Sequence, residues 1–558
     1  MSLIGIKICT NSANPDNDQD SNNKFQRTSK YSMSKLKISN KTRTTETETQ
    51  LFDTRNDEKN VEEFQYLVGN RQMAEFPVAM SLIASIISGV SLIGLSTEIY
   101  LYGILYVYTI PTIILAASVC WYIFLPIFCN LNLTSIYEYF EMRFNKKIRL
   151  FGSFVNFIGI LFWMPMVIYM PGLVMNQFIG INIHLFSGII SLICVFYTCL
   201  GGIQTVIWTD FFQSFIMLAS IGLIMIKGIV KVGGLQRIID INYDGDRIEL
   251  PRIFIDPYTR YSLSAILIGG TVSWIEGTCC GQVMMQRFLS VSSVKKARKV
   301  LIYYITGISL LLGVCVFNGL ILYAYYHNCD PLTTKLAEIK DQLLPLFIME
   351  IFHKTPGING LFIGGIMSAA LSTLSTGLNS LAAIFLEDFL KSYYSKSLSN
   401  YQTKLILKLT ILGAICGGPL FGLFLAGVLM PWINSSSALT GCSFAFILIS
   451  WICIRSQILE GNSIYIQKPV SITECNYTFI LNVNQTALIH ELKESGNQSI
   501  SYLWYCPLGA FVTILVANLA SIYFGHICRK NWDKRLIASF LWKLIPEDRT
   551  MENCTEMS

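Results

Sequence analysis

Apolar residues in this chain do not alternate with polar ones; they gather into long runs separated by short polar segments. From Phe76 onward the runs cover residues 77–98, 104–129, 150–175, 184–203, 206–228, 262–281, 300–325, 359–386, 405–430, 436–454 and 502–526. Each is close to the roughly 20 residues that an α-helix needs to cross about 30 Å of hydrocarbon. The pattern predicts an all-α, polytopic membrane protein with about 11 visible transmembrane helices. The ten-residue alternating segments of a membrane β-barrel are not seen in the sequence. Leu343–Phe352 is apolar but too short to cross, and is expected on a surface. Residues 1–75 are rich in Asn, Ser, Thr and Lys, with no helical apolar period and no signal-peptide core, and are expected to form a disordered tail.

Composition supports the bilayer as the solvent. The chain is 52% hydrophobic and 14% charged, with a mean hydropathy of +0.49, whereas soluble domains carry about 25% charged residues. The net charge of +6 comes largely from Lys and Arg beside the spans. It therefore reports orientation, not a nucleic-acid partner. The basic loops around Arg143, Lys146, Lys147 and Arg149, and around Lys295, Lys296, Arg298 and Lys299, share one side, expected to be the cytoplasm.

The segment 455–501 carries glycosylation sequons at Asn476, Asn484 and Asn497, which predict an extracellular loop. The basic residues of 527–558 predict a cytoplasmic tail after a final span at 502–526, with the core at 76–454. These markers contradict the parity of the spans and require one more crossing between Asp388 and Pro431, where only one run is long enough. Most of the 16 cysteines lie in apolar runs and read as small hydrophobes. Cys329 and Cys475 fall in polar loops and are candidates for a disulfide, and Cys279-Cys280 lacks metal-site spacing.

Within the run 359–386 the stretch "SAALSTLSTGLNS", Ser368–Ser380, is unusually polar. On a helix Ala369, Ser372, Thr373, Thr376 and Ser380 share one face. Single hydroxyls in membrane helices bond to their own backbone or a neighbour. A whole face of them, joined by backbone carbonyls, can instead offer neutral oxygens to a sodium ion. "SLIASIISGVSLIG", Ser81–Gly94, provides a partner helix able to break and present carbonyls near Ala84 and Ile87. Asp210, in "YTCLGGIQTVIWTDFFQ", is a carboxylate at membrane depth, costing about 2.5–3.5 kcal/mol on insertion scales. Its partner is a cation, a proton or Gln213 on the next turn; alternatively it is a partly hydrated cap near a helix end. Gly201-Gly202 predicts a tight turn between two spans.

These stretches, with "TSIYEYFEMRF", "FPVAMSLIASIISG" and "GGPLFGLFLAGVLMPW", resemble the sodium:solute symporter family, in its monocarboxylate, multivitamin and iodide branch. The resemblance runs from about Tyr66 to Phe524 and implies two inverted five-helix repeats working by alternating access. It implies sodium ligands at the carbonyls of Ala84, Ile87 and Ala369 and the hydroxyls of Ser372 and Thr373, with Asp210 beside them. Ser88, Ser91, Trp274 and Gln282 match positions lining the substrate cavity or a second ion site, and Gln213 is grouped with them.

The family has about 13 transmembrane helices, so two are expected to be missing: one ahead of "EEFQYLVGNR" and one between "LEDF" and "GGPL". The second coincides with the crossing that parity requires. Where the branch shows Tyr-Gly-Val-Asn-Gln, this chain has "TCCGQ", Thr278–Gln282, with Glu276 nearby. The implied function is sodium-coupled symport of a small organic anion, monocarboxylate or vitamin-like, across the plasma membrane. The partners are Na+ as coupling ion, the anion and the lipid bilayer. The alternative is a shortened isoform or incomplete chain that binds sodium without transporting. No nucleophile, base and orienting group occur together, which argues against an enzyme, and the single intramembrane Asp210 forms no ring of a channel.

Overall fold

The computed structural model describes residues 67–131, 133–251, 259–353, 355–385, 388, 413–460, 468–473, 475, 500–524 and 532–544. Every apolar run is helical where described, and no strand occurs among these residues. The first span is α1 (Glu75–Ile86) and α2 (Gly89–Tyr102), bent by 58° at the break between them. α3 (Ile104–Leu131), the short α4 (Glu138–Arg143) and α5 (Lys146–Ile179) follow. α6 (Ile183–Val232) is 50 residues long. A straight helix of that length would reach about 75 Å, more than twice the hydrocarbon core. Gly202, with φ 55° and ψ −154°, divides it into two limbs, as the Gly-Gly pair predicts.

After α7 (Leu235–Asp244), the chain forms α8 (Ala265–Cys280) and α9 (Gln282–Phe288), separated by the extended Gly281. Then come α10 (Val294–Tyr326), α11 (Leu343–Ile351), α12 (Pro356–Ile384), α13 (Gly413–Leu429), α14 (Ser435–Glu460) and α15 (Tyr505–Phe524). Among the described residues seven helices are long and apolar enough to cross a membrane, and the bent α1–α2 pair makes an eighth. With α6 counted as two limbs, four crossings separate the broken α1–α2 from the broken α8–α9, so the first broken helix and those that follow it make a set of five. That spacing is the signature of two five-helix repeats that each open on a discontinuous helix.

Two expectations change. The folded body begins ahead of Phe76: Leu67 and Val68 are buried beside Ala383, and Arg71 Nη2 donates to the Leu133 carbonyl at 3.0 Å. Three apolar residues, Leu67, Val68 and Met73, are enough to dock this stretch although its surroundings are polar. α11 is likewise no surface helix; Leu343, Leu344, Phe347 and Ile348 are buried. Residues 1–66, and Asn476, Asn484 and Asn497, lie outside the described residues.

The two ends of the helix array differ in chemistry. At one, Glu75 meets Lys299 at 3.5 Å, Arg149 meets Asp388 at 2.7 Å, and Arg143 donates to the carbonyls of Gly427, Met430 and Ile433. At the other, Arg247 is fully buried, donating to the carbonyls of Tyr100 and Pro469 and lying 4.0 Å over the Tyr323 ring. There Lys468 N–H also donates to Leu101, and a disulfide joins Cys329 to Cys475. The basic loops thus gather at one end and the disulfide at the opposite end, as the charge pattern predicts for a membrane chain.

This polarity bears on the parity conflict. Asp388 lies at the basic end, held by Arg149, Ser135 and Ser153. α13 runs toward that same end, from Gly418 against Cys506 to Gly427 against Tyr139. Its start is therefore at the opposite end from Asp388, and residues 389–412, which join the two, lie outside the described residues.

The disulfide closes a loop with a sequence separation of 146, a size for which chain-entropy accounts assign about 4–5 kcal/mol. Cys329→Ser, Cys475→Ser and the double variant should lower the melting midpoint of the detergent-solubilised protein by the same amount. A fluorescence-detected thermal ramp measures this, and a double variant well below both singles would contradict the pairing.

Candidate functional site

The break in the first span frees polar backbone. Ile87 is extended (φ −86°, ψ 91°), as is Ser88 (ψ 169°). In an unbroken helix the Ser88 N–H would serve the Ala84 carbonyl, but here it donates to Ile86 at 3.1 Å. The Ser91 N–H, the ladder partner of Ile87, donates instead to the Ser88 carbonyl at 3.0 Å and to the Ser88 hydroxyl at 3.4 Å. The carbonyls of Ala84 and Ile87 are thereby released from the ladder. Ser88 is consumed as the N-cap of α2, with Ser91 beside it.

α12 faces this break with its hydroxyl stripe, and Ala369, Ser372, Thr373, Ser375, Thr376 and Ser380 are all buried. Thr373 donates to the Ser85 carbonyl at 3.2 Å and to the Ala369 carbonyl at 3.0 Å, so one side chain joins both helices. Ser85 Oγ lies 2.9 Å from Thr376 Oγ1 and 3.5 Å from Ser372 Oγ.

Asp210, on the second limb of α6, is fully buried against the same point. Its Oδ2 accepts from the Ser81 hydroxyl at 2.6 Å, the Ser85 hydroxyl at 3.4 Å and Arg287 Nη2 at 2.9 Å. Its Oδ1 is buried without a hydrogen-bond partner. Arg287, on α9, also donates from Nε to Ser81 at 2.7 Å, and touches Thr376. Neither the cytoplasmic cap nor a bond to Gln213 describes Asp210: it is half of a buried ion pair. The Gln213 Oε1 is itself buried without a partner.

The structure thus brings Ala84, Ile87, Ala369, Ser372, Thr373 and Asp210 together, and adds Ser81, Ser85, Thr376 and Arg287. Gln282 stands apart: its Oε1 accepts from the Ile136 N–H at 2.9 Å, and its Nε2 donates to the Thr134 carbonyl at 3.2 Å. Its amide holds the turn before α4, a task that two fixed backbone groups impose. Trp274 is half-buried on α8, packed against the core. Glu276 faces Gly417, where an added Cβ would lie 2.9 Å from its carboxyl carbon. A carboxylate oxygen without a donor, two released carbonyls and a buried hydroxyl face form a donor set suited to a small hard cation.

Comparison with known proteins agrees with this architecture. Residues 66–447 match the model of the sodium:solute symporter family. The chain is 34% identical to the sodium-coupled monocarboxylate transporter 1 of Xenopus laevis over 508 residues, covering 83% of this chain and 81% of that protein. It is 34% identical to the human protein of the same name, covering 85% and 84%, and 29% identical to the human sodium/iodide cotransporter, covering 86% and 81%. The fold is shared with a Na+-coupled sialic acid symporter solved in a substrate-bound outward-open state. The TM-score is 0.68 at 23% identity, covering 83% of this chain and 93% of that one.

The chain belongs to the sodium:solute symporter family. It is a multi-pass membrane transporter with Na+ as its coupling ion, and not an enzyme.

Removing one member of a buried ion pair leaves the other uncompensated, at a cost of about 3–5 kcal/mol. Asp210→Asn and Arg287→Gln should each depress the thermal midpoint of the solubilised protein strongly. The double variant, with neither charge, should melt above both singles; simple addition of the two losses would contradict the pair.

Proposed function

We propose that this chain is a sodium-coupled symporter for a small organic anion, a monocarboxylate or a vitamin-like acid, working by alternating access in the plasma membrane. Na+ is held by the carbonyls of Ala84, Ile87 and Ala369 and the hydroxyls of Ser372 and Thr373, with the Asp210 carboxylate supplying negative charge beside it. Ser88, Ser91 and Trp274 border the anion's path. Asn476, Asn484 and Asn497 carry glycans on the outer face.

The observation that carries this reading is the diversion of the Ser88 and Ser91 N–H groups, which releases the carbonyls of Ala84 and Ile87 on either side of Ser85, the residue that meets Thr373 and Ser372. Sodium gives up its hydration shell only where several oxygens replace it, and neutral oxygens do so without trapping the ion. Asp210 is already partly neutralised by Arg287 at 2.9 Å, which keeps its pull on an ion moderate. The names of the relatives, two monocarboxylate transporters and an iodide cotransporter, support an anionic substrate. Each net positive charge that crosses 100 mV releases about 2.3 kcal/mol, so the potential drives accumulation only where more Na+ than anionic charge enters. A one-to-one pair is driven by the sodium concentration gradient alone.

Uptake of a radiolabelled monocarboxylate into cells expressing the chain tests this. Replacing sodium by choline should reduce uptake to background, and Ser372→Ala or Thr373→Ala should raise the half-saturating sodium concentration about tenfold, the effect of about 1.4 kcal/mol of lost binding. Sodium-independent uptake rejects symport. A chain that reaches the surface and accumulates no monocarboxylate favours the non-transporting alternative.

A further inference from the structure

Beyond the last span, residues 532–544 lie back on the basic end of the helix array. Short helical turns at Lys534–Leu536 and Ser539–Leu544 carry the chain past the ends of α3, α4 and α13. Two hydrogen bonds fasten it there. The Ala538 N–H donates at 3.2 Å to the Val428 carbonyl, one of those that α13 leaves open at its end. The Tyr139 hydroxyl, on α4, donates to the Leu536 carbonyl at 3.0 Å. Leu536, Ile537 and Ala538 are buried, yet the aromatic side chains that follow are not: Phe540 is 62% exposed and Trp542 46%. Nor is the Trp542 ring turned outward to reach a polar partner, because its indole N–H already donates to the Ile537 carbonyl at 3.1 Å. A fixed backbone therefore presents two apolar rings away from the protein, where water would be a poor neighbour for them.

The level of these rings on the molecule indicates what covers them. Val428 is the penultimate residue of α13, so the segment crosses where that span finishes. α15 finishes close by: the Phe524 carbonyl accepts from Asn434 Nδ2 at 3.0 Å, on the turn that follows α13. Tyr523 and Phe524 are exposed as well. Exposed aromatic rings from two separate parts of the chain thus occur where spans end, the depth at which membrane proteins place rings at the boundary between hydrocarbon and water. Charge narrows the choice of lipid. Residues 529–543 carry Arg529, Lys530, Lys534, Arg535 and Lys543 against the single acid Asp533. Asp533 pairs with Arg535 at 2.8 Å, and Lys534 is exposed with no acidic partner among the described residues.

We propose that residues 532–544 are a lipid-binding segment, in which Phe540 and Trp542 enter the headgroup boundary of the adjoining leaflet and Lys534 selects anionic phospholipid. An aromatic ring gains from leaving water at that boundary, and a cation on the same segment gains from the negative surface it meets there. Because Leu536 is bonded to α4 and Ala538 to α13, lipid that holds the rings also steadies the ends of these two helices. The segment rests on the membrane class alone, and on neither the substrate nor the sodium ligands.

The test reads lipid contact and not uptake. The full chain is reconstituted into vesicles of phosphatidylcholine and phosphatidylserine in equal parts. These carry a trace of phospholipid with a diazirine near its glycerol, bearing either a choline or a serine headgroup. After illumination, adducts are counted on the tryptic peptide Leu536–Lys543, with peptides from the spans as the reference. Both probes should label this peptide, the serine one more. Lys534→Gln should lower the serine-over-choline preference about fivefold, the effect of about 1 kcal/mol for one cation near an anionic surface. Phe540→Ser should reduce labelling by both probes without moving the thermal midpoint, since an exposed ring adds little to the fold. An unlabelled peptide beside labelled spans assigns the rings to water or to a protein partner and overturns the proposal. A serine preference that Lys534→Gln leaves unchanged overturns it too. A chain that accumulates no monocarboxylate still reports here, so failure of the transport reading and failure of the lipid segment are separable.

Discussion

Hydrocarbon offers no hydrogen bonds, so a membrane helix can break only where the protein itself receives the freed backbone groups. That constraint organises this molecule. The bend at Ile87–Ser88 releases two carbonyls, and everything near them is polar and buried: the hydroxyl face of α12, the serines of α1, Asp210 and Arg287. Thr373 shows the logic in one side chain, since its hydroxyl reaches a carbonyl on each of two helices. The price of the break is a polar core, and that core is what a hydrated ion can exchange its water for.

The same constraint explains where charge is tolerated. Asp210 and Arg287 sit within the core only because each faces the other and both face Ser81. Arg247, also fully buried, is placed at the end away from the basic loops, where backbone carbonyls and the Tyr323 ring replace water around the guanidinium. At the basic end Asp388 collects Arg149, Ser135 and Ser153. Charge near the breaks can respond to ions, and charge at the ends fixes loops.

The spans and the hydroxyl face were legible in the sequence because both are local periodicities: runs long enough to cross, and i, i+3, i+4 spacing from Ala369 to Ser380. Charge and sequons also called for one more crossing between Asp388 and Pro431, and residues 389–412 of that interval lie outside the described residues. What could not be read was pairing at a distance. Ser81 and Asp210 are 129 residues apart, Asp210 and Arg287 77. Arg287 lies just past an apolar run and reads there as an ordinary basic flank. A lone arginine followed by "FLS" and then by a strongly basic loop was the available signal. Gln282 matched a cavity position by motif, yet its amide is committed to a turn 146 residues earlier in the chain. The Cys329–Cys475 pair stayed open for the same reason.

That disulfide also bears on how the molecule is made. Cys329 emerges from the ribosome long before Cys475, and α12, α13 and α14 are synthesised in between. The thiol must therefore wait, reduced, while the intervening chain is made, and the clasp can close only once Cys475 has reached the same end of the helix array. Covalent closure is thus a late checkpoint in biogenesis, one that reports that the intervening segments have entered the bilayer in the correct order.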